Sequence, residues 1–556
     1  MKILKPLLFI ALIAIFLTSC GSSVAPIVST PIGNIDTLPL KAASLTDAQL
    51  KTWNSADLVS DTIPGMSVDK AYSEIIKSQK GKKVIVAVID SGIDIEHEDL
   101  KNVIWVNKDE IPNNGKDDDN NGYIDDVHGW NFLGDIVGEN MEYVRIIKNL
   151  EPRFKGKTEA SVSATDQADF ALYQKALAEF EEEKNKASAN KTRYEGMLAQ
   201  IKPAHAVIAK KVGKENYTKE DLAKIENPTE EEQKHIESLD RMLAYGDIPG
   251  VIKQLNGGVE YFGGRIDTHF NLNKNFRFVL GDDPDDINDT KYGNNDVDGP
   301  TKDEEDVRHG THVAGIIAAE RNNGIGMNGV ANNVEIMVLR AVPDGDEYDK
   351  DVALAIRYAV DNGASVINAS FGKYYSPHPE WVWDAIKYAG ENDVLFVHAS
   401  GNEGLNIDDM ERYPCDQEGG TGPEITNSYI SIGALNFKYG SELVAGFSNY
   451  GKSSVDAFAP GVKIWSTTQL DTYEYLQGTS MAAPAVTGVA AIIRSFYPNL
   501  SAGEVKQVLM SSGLSSKTPV ILGGDEANTD NFNNISRSGK MVNLYNALIM
   551  ASKTSK

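Results

Sequence analysis

Two hydrophobic patterns alternate along the chain. Short runs dominated by apolar, β-branched residues occur at Val84-Ile85-Val86-Ala87-Val88-Ile89, at 334–341, at 365–372 and at 394–400. Such runs predict parallel strands buried on both faces. Between them lie segments with helical spacing. Val352, Ala355, Ile356, Ala359 and Val360 share one face of 351–362, and 381–391 follows the same period. Segments 502–511 and 543–551 read as closing helices. This alternation predicts an α/β fold: a doubly wound parallel sheet flanked by helices.

One long stretch breaks the alternation. From 139 to 274 the period is helical, and Phe170, Tyr173, Leu177, Phe180, Ala187, Tyr194, Leu198 and Ile201 occupy heptad a and d positions. Pro203 marks the expected end of that helix, or a kink. Thr218-Lys219-Glu220-Asp221 and Thr229-Glu230-Glu231-Glu232 have the form of capping boxes that open shorter helices. The reading is a helical insertion at 139–274 projecting from a domain built of 61–138 and 275–556. It would serve as a lid, a substrate-selecting arm or a partner dock, or be a passive decoration.

The N-terminus carries Lys2 and Lys5 before an apolar stretch at 6–17, the pattern of a signal peptide over 1–20. Its end, Leu17-Thr18-Ser19-Cys20, resembles a bacterial lipobox, which implies lipidation of Cys20 and a membrane anchor in the cell envelope. An ordinary signal peptide is the alternative. Residues 21–60, rich in Ser, Thr and Pro at the start, read as a tether and N-terminal segment. Cys415 is the only other cysteine, so no disulfide framework holds one molecule together. A net charge of −26 argues against nucleic acid or an anionic membrane surface as partner.

Three segments carry candidate chemistry. Gly478-Thr479-Ser480 turns into an Ala-rich segment, placing Ser480 at the positive end of a helix. A serine there needs a histidine base and a carboxylate to orient that base. Asp90 ends the first apolar run, and His309 opens another Ala/Gly-rich helix in Arg308-His309-Gly310-Thr311-His312. With Asn402 in Ser400-Gly401-Asn402-Glu403, the four pieces resemble the subtilisin-like (S8) serine peptidases, whose triad runs Asp, His, Ser along the chain.

The resemblance implies a serine endopeptidase acting on proteins or peptides. Ser480 would attack the scissile carbonyl, His309 would shuttle the proton and Asp90 would fix the imidazole. Asn402 would supply the oxyanion-hole donor together with the Ser480 backbone N–H. Ser370, Phe371, Gly372, Ala399, Ser400 and Gly401 would line the side of the cleft that takes the residue before the cut (P1). His312 reads as structural, and Cys415 as a buried thiol near that pocket. Asp344, Asp346, Glu347 and Asp349 would lie on the rim for more distant substrate residues, where they would favour basic side chains or simply be solvated. The stretch between Cys20 and Val84 is short for the propeptide domain common in the family, so a catalytically idle scaffold is the rival reading.

Calcium is the expected structural cofactor. The family's tight calcium loop implies Asp99, the Asn323 side chain and the carbonyls of Arg321, Ile325 and Met327 as ligands. A second candidate lies in 113–126, where Asp117, Asp119, Asn121 and Asp125 alternate around Gly122 as in half of an EF-hand loop. The closing Glu is missing, and a solvated acidic turn is the alternative. A third acidic stretch at 281–299 is less specific.

Overall fold

The computed structural model describes residues 27, 29–41, 43–300 and 305–555. The signal-peptide and Cys20 readings therefore fall outside the described residues. Seven strands form one sheet: β1 Val84–Asp90, β2 Gly129–Asn131, β3 Val334–Arg340, β4 Val366–Ala369, β5 Leu395–Ala399, β6 Tyr429–Leu435 and β7 Ala457–Pro460. Their order is β2-β3-β1-β4-β5-β6-β7. Every pairing in the sheet is parallel.

Both faces are covered, which is why the strands are apolar throughout rather than alternating. On one face Val84, Val86 and Val88 pack with Val486, Val489, Ile492 and Ile493 of the helix Thr479–Phe496. On the other, Ala87 and Ile89 pack with Met337, Leu339, Ile367 and Phe396 beneath the helices Asp349–Asp361 and Pro379–Glu391. The register aligns Ile89 with Ala369, and Ala369 with His398. The next residues along, Asp90, Ser370 and Ala399, thus emerge at one edge of the sheet. Chain order reverses around β1, so this edge is the crevice where doubly wound sheets hold ligands.

Segment 139–274 is helical: Glu142–Phe154, Gln167–Val212, Lys219–Leu222, Glu230–Met242 and Ile248–Asp267. Phe170, Tyr173, Phe180, Ala187, Leu198 and Ile201 are buried along the longest helix. Both capping boxes form, from Thr218 to Asp221 and from Thr229 to Glu232. Pro203 does not end the helix, which continues to Val212. Packing of Ala204, Ile208 and Ala209 with Leu239, Ile248 and Leu255 outweighs the one lost backbone bond.

The insertion is tied to the sheet domain by buried charge. Arg145 and Lys373 both pair with Glu142, and Lys373 also reaches Asp349 at 2.9 Å. Burial alone would raise the Glu142 carboxyl, but the two cations outweigh it and hold it down at about 2. The Glu142 N–H donates to Asp346 at 2.7 Å, and Arg145 donates to the carbonyls of Asp346 and Glu347. Asp346, Glu347 and Asp349 are therefore buried structural groups, not a solvated rim; only Asp344 is exposed, and it bonds His269. In the third acidic stretch, Asp282 is claimed by Arg277 and Lys350.

The described part of the N-terminal segment is not a free tether. Ile35 is fully buried, Asn546 bonds both the N–H and the carbonyl of Ile32, and Trp53 seals the same core.

Candidate active site

Asp90 is delivered by the end of β1 and is 2% exposed, whereas the His309 ring is 40% exposed. The carboxylate thus stands behind the imidazole, whose other edge faces solvent. His309 Nδ1 lies 2.7 Å from Asp90 Oδ1, which also accepts from the Ser91 N–H. This contact fixes the tautomer, with the proton on Nδ1. Burial by itself would lower the His309 pKa, but the charge and hydrogen bond of Asp90 outweigh it and raise the pKa above 6.5.

The histidine helix, Arg308–Ala318, reaches Asp90 only because it begins with a glycine contact. A Cβ placed on Gly310 would stand 2.1 Å from the Gly92 carbonyl oxygen and 3.2 Å from Asp90 Cβ. Arg340 supports the same turn, donating to the Ser91, Gly134 and Ile136 carbonyls and to Asn131. His312 points elsewhere. Its Nε2 bonds the Ile464 and Glu474 carbonyls, and burial first, with His309 nearby, pushes its pKa down to about 3. It is a neutral packing group.

Ser480 occupies the first turn of Thr479–Phe496. Pro484 lies four residues on and has no N–H to offer the Ser480 carbonyl. Ser370 Oγ takes that role, donating to the Ser480 carbonyl at 2.9 Å. In return Ser480 Oγ donates to the Ser370 carbonyl at 3.1 Å. Among the described residues no hydrogen bond joins Ser480 to His309; such contacts are often loose before substrate binds.

Asn402 is oriented by its neighbour. The Thr479 N–H and hydroxyl donate to Asn402 Oδ1 at 2.8 and 3.1 Å, leaving Nδ2 to face outward. A Cβ built on Gly478 would lie 3.5 Å from the Ser480 nitrogen and 3.6 Å from Asn402 Nδ2. Asn402 Oδ1 is equally near that point, at 3.5 Å, so Asn402 and the Ser480 N–H flank Gly478 together, and their N–H groups are the donors available to an oxyanion beside Ser480.

All six residues expected on the P1 side, Ser370, Phe371, Gly372, Ala399, Ser400 and Gly401, line one cavity of about 210 Å³ together with Asn402 and Ser480. The sequence reading missed the rest of that wall: Lys373, Tyr374, His398, Glu403, Arg412 and Tyr413. Arg412 and Tyr413 belong to the segment of Cys415, whose expected position near the pocket was the signal that could have found them. Cys415 itself is fully buried, and its thiol donates to the Gln417 carbonyl.

The acidic loops are partly reassigned. Asp117 and Asp125 turn onto backbone amides, Asp117 on Asn121 and Gly122, Asp125 on Asn114 and Gly115. The Asn121 side-chain oxygen, Oδ1, accepts from the Tyr123 N–H. Of the four expected ligands only Asp119 joins a carboxylate cluster, with Glu110 and Asp126, whose ligand atoms lie within 4.8 Å of one another. Asp117 captures amides four and five residues on, a local turn, whereas Asp125 reaches back ten and eleven residues and closes the loop on itself.

At the tight calcium loop expected from the family resemblance, Asp99 and Asn323 do come together. Asn323 Nδ2 donates to Asp99 Oδ1 at 2.6 Å, and the Met327 N–H donates to Oδ2 at 3.0 Å. The amide nitrogen rather than the oxygen of Asn323 thus faces Asp99. Among the described hydrogen bonds, none ends on the carbonyls of Arg321, Ile325 or Met327.

A parallel sheet that presents Asp, His, Ser and an Asn-lined anion site at one edge defines a class built for nucleophilic acyl transfer. The profile described as peptidase S8, Subtilase family, matches residues 81–538, and the chain belongs to that family. Over 188 residues it is 42% identical to the "Thermophilic serine proteinase" of Bacillus sp. (strain AK1), covering 34% of this chain and 42% of that one. It is 36% identical over 247 residues to the "Cell wall-associated protease" of Bacillus subtilis (strain 168), covering 44% and 25%. With "Subtilisin DY" of Bacillus licheniformis it shares 35% over 207 residues, covering 37% and 69%. The chain thus matches less than half the length of the first two relatives.

Gly310→Ala should force the histidine helix off the Asp90 turn and slow covalent labelling of Ser480 by a fluorophosphonate about 100-fold, the scale of a 1 Å misplacement. Circular dichroism would confirm that the fold persists. Labelling within twofold of the parent would show that the close approach is not needed.

Proposed function

We propose that the protein is a serine endopeptidase that cuts proteins or peptides through an acyl-enzyme on Ser480. The observation that carries this reading is the 2.7 Å His309–Asp90 contact, in a chain whose Ser480 and Asn402 line one cavity. His309 takes the Ser480 proton and returns it to the leaving amine, while Asp90 holds the tautomer and stabilises the imidazolium. Substrate binds extended beside the 370–372 segment, its P1 side chain in the cavity next to Ser480.

The Lys2, Lys5 and Cys20 pattern supports export and lipid anchoring at the bacterial cell envelope. Calcium is proposed at two places. Glu110, Asp119 and Asp126 offer three carboxylates, and Glu110 Oε2 is buried without a described hydrogen-bond partner. Burial pushes the Asp126 carboxyl up to about 6, so the cluster lacks compensating charge. The second place is the loop of Asp99, Asn323 and the carbonyls of Arg321, Ile325 and Met327. The ion's part there is structural: it would hold loops next to β1 and the histidine helix.

The insertion abuts the substrate cleft. Tyr375, three residues beyond Gly372, packs among Tyr143, Phe154 and Phe170. That supports contact with substrate or with a partner protein. A second reading, an idle scaffold, draws on the Ser480 hydroxyl facing the Ser370 carbonyl rather than His309.

A fluorophosphonate probe separates the two readings. The parent should be labelled and Ser480→Ala should not; a well-folded parent that stays unlabelled would favour the scaffold. Labelling should rise with pH through a limb above 6.5, because His309 must lose its proton to act as base. Asp90→Asn removes what raises that pKa, so the limb should move to lower pH while the rate drops by about 10⁴. Chelation should lower the parent melting temperature by roughly 5 °C, as for an ion held well above its Kd, and Glu110→Gln should blunt the response. An unchanged melting curve would argue against calcium. Metabolic labelling with a fatty-acid analogue should be lost in Cys20→Ala, and persistent labelling would remove the anchor from the proposal.

A further inference from the structure

The cleft beside Ser480 has a cation built into its wall. Arg412 is 5% exposed and lines the same cavity as Ser370, Gly401 and Ser480. Each terminal nitrogen makes one bond to a carbonyl, Nη1 donating to Ile407 at 3.4 Å and Nη2 to Ser454 at 3.1 Å. Its Nε–H is buried and has no hydrogen-bond partner among the described residues. No carboxylate forms an ion pair with the guanidinium among them either.

A buried arginine is ordinarily paired, because carbonyl oxygens alone do not offset the loss of water around a full charge. The other charged groups of this cavity are already committed. Lys373 is held between Glu142 and Asp349. His398 is neutral, with Nε2 on the Phe371 carbonyl and Nδ1 on the Tyr429 hydroxyl. Glu403 is exposed at the mouth, and its Oε2 accepts from Asn449 and Tyr374. A carboxylate entering from solvent passes Glu403 where water screens it, and reaches Arg412 where water does not. The deeper charge therefore decides which side chain is held.

Resting on the protease reading, we propose that Arg412 makes the P1 pocket selective for acidic side chains, glutamate above all. A glutamate side chain in this cavity would bring a carboxylate to the wall that Arg412 helps to form, and a charge-assisted bond to a buried guanidinium discriminates strongly against a neutral isostere. The six wall residues expected on the P1 side would then surround the methylene stem of the substrate side chain.

The test compares kcat/KM for peptides identical except for Glu, Gln, Phe or Lys at P1. Glu should exceed Gln by about tenfold or more, and Lys should be poorest. In Arg412→Gln the Glu-to-Gln ratio should fall to about one; Arg412→Lys, which keeps a charge, should hold part of it. The ratio reads charge recognition, which a merely structural arginine would not move. Should Arg412→Gln fail to fold, the parent profile and Arg412→Lys still decide. Cleavage of the Gln and Phe peptides with no preference for Glu overturns the role of Arg412 and leaves the protease standing. No cleavage of any peptide, with no probe labelling, overturns both.

Discussion

Everything at the site depends on a 2.7 Å contact between residues 219 positions apart, Asp90 and His309. Closing so long a loop costs entropy that one hydrogen bond cannot offset. The intervening chain has to be fastened at several points. β2 does so by pairing with β3 through Gly129, Trp130 and Asn131. Arg340, at the end of β3, then bonds four groups around the turn that follows Asp90 and the loop that follows β2. Its burial lowers its own pKa to about 10, a cost met by those four acceptors. The final approach is steric. Gly92 and Gly310 let two backbones meet where side chains would hold them apart.

The insertion extends this fastening. It leaves the sheet domain after Asn131 and returns before His309, so its base sits where slack would loosen the triad. The structure answers with charge as well as apolar packing. Glu142, Arg145, Lys373 and Asp349 form a buried network spanning both parts. Such networks add little net stability over apolar packing, but breaking one partner leaves a stranded charge, so they fix one arrangement. Lys373 directly follows Gly372 in the wall of the cavity beside Ser480. The same lysine therefore joins the insertion to the 370–373 segment that lines the cavity.

Much of this was legible in the sequence. The four apolar runs became β1, β3, β4 and β5, because strands buried on both faces leave no polar positions to blur the signal. The order Asp90, His309, Asn402 and Ser480 came with flanking glycines that the close approaches require, so motif and geometry pointed the same way. The helical insertion was readable from heptads and capping boxes, which are local. Its end was not, since Pro203 is tolerated by tertiary packing that no local rule contains. The role of 29–60 was misjudged for the same reason: the Ile35 carbonyl accepts from Tyr439 and Trp53 donates to the Val462 carbonyl, partners more than 400 positions away.

Acidic residues were the hardest to read, and the reason is general. A carboxylate has several competing uses, and sequence spacing does not rank them. Here Asp117 and Asp125 cap backbone amides, Asp282 and Asp351 neutralise Arg277, and Asp349 neutralises Lys373. Each of these is a complete solution with protein donors. What distinguishes Glu110, Asp119 and Asp126 is convergence combined with an oxygen left over, Oε2 of Glu110. Arg412 is the same argument with the sign reversed: a buried donor left over at the wall of a cleft. In both cases the informative feature is not the charge but the unspent valence of a group that folding has removed from water, and that feature exists only once the chain is folded.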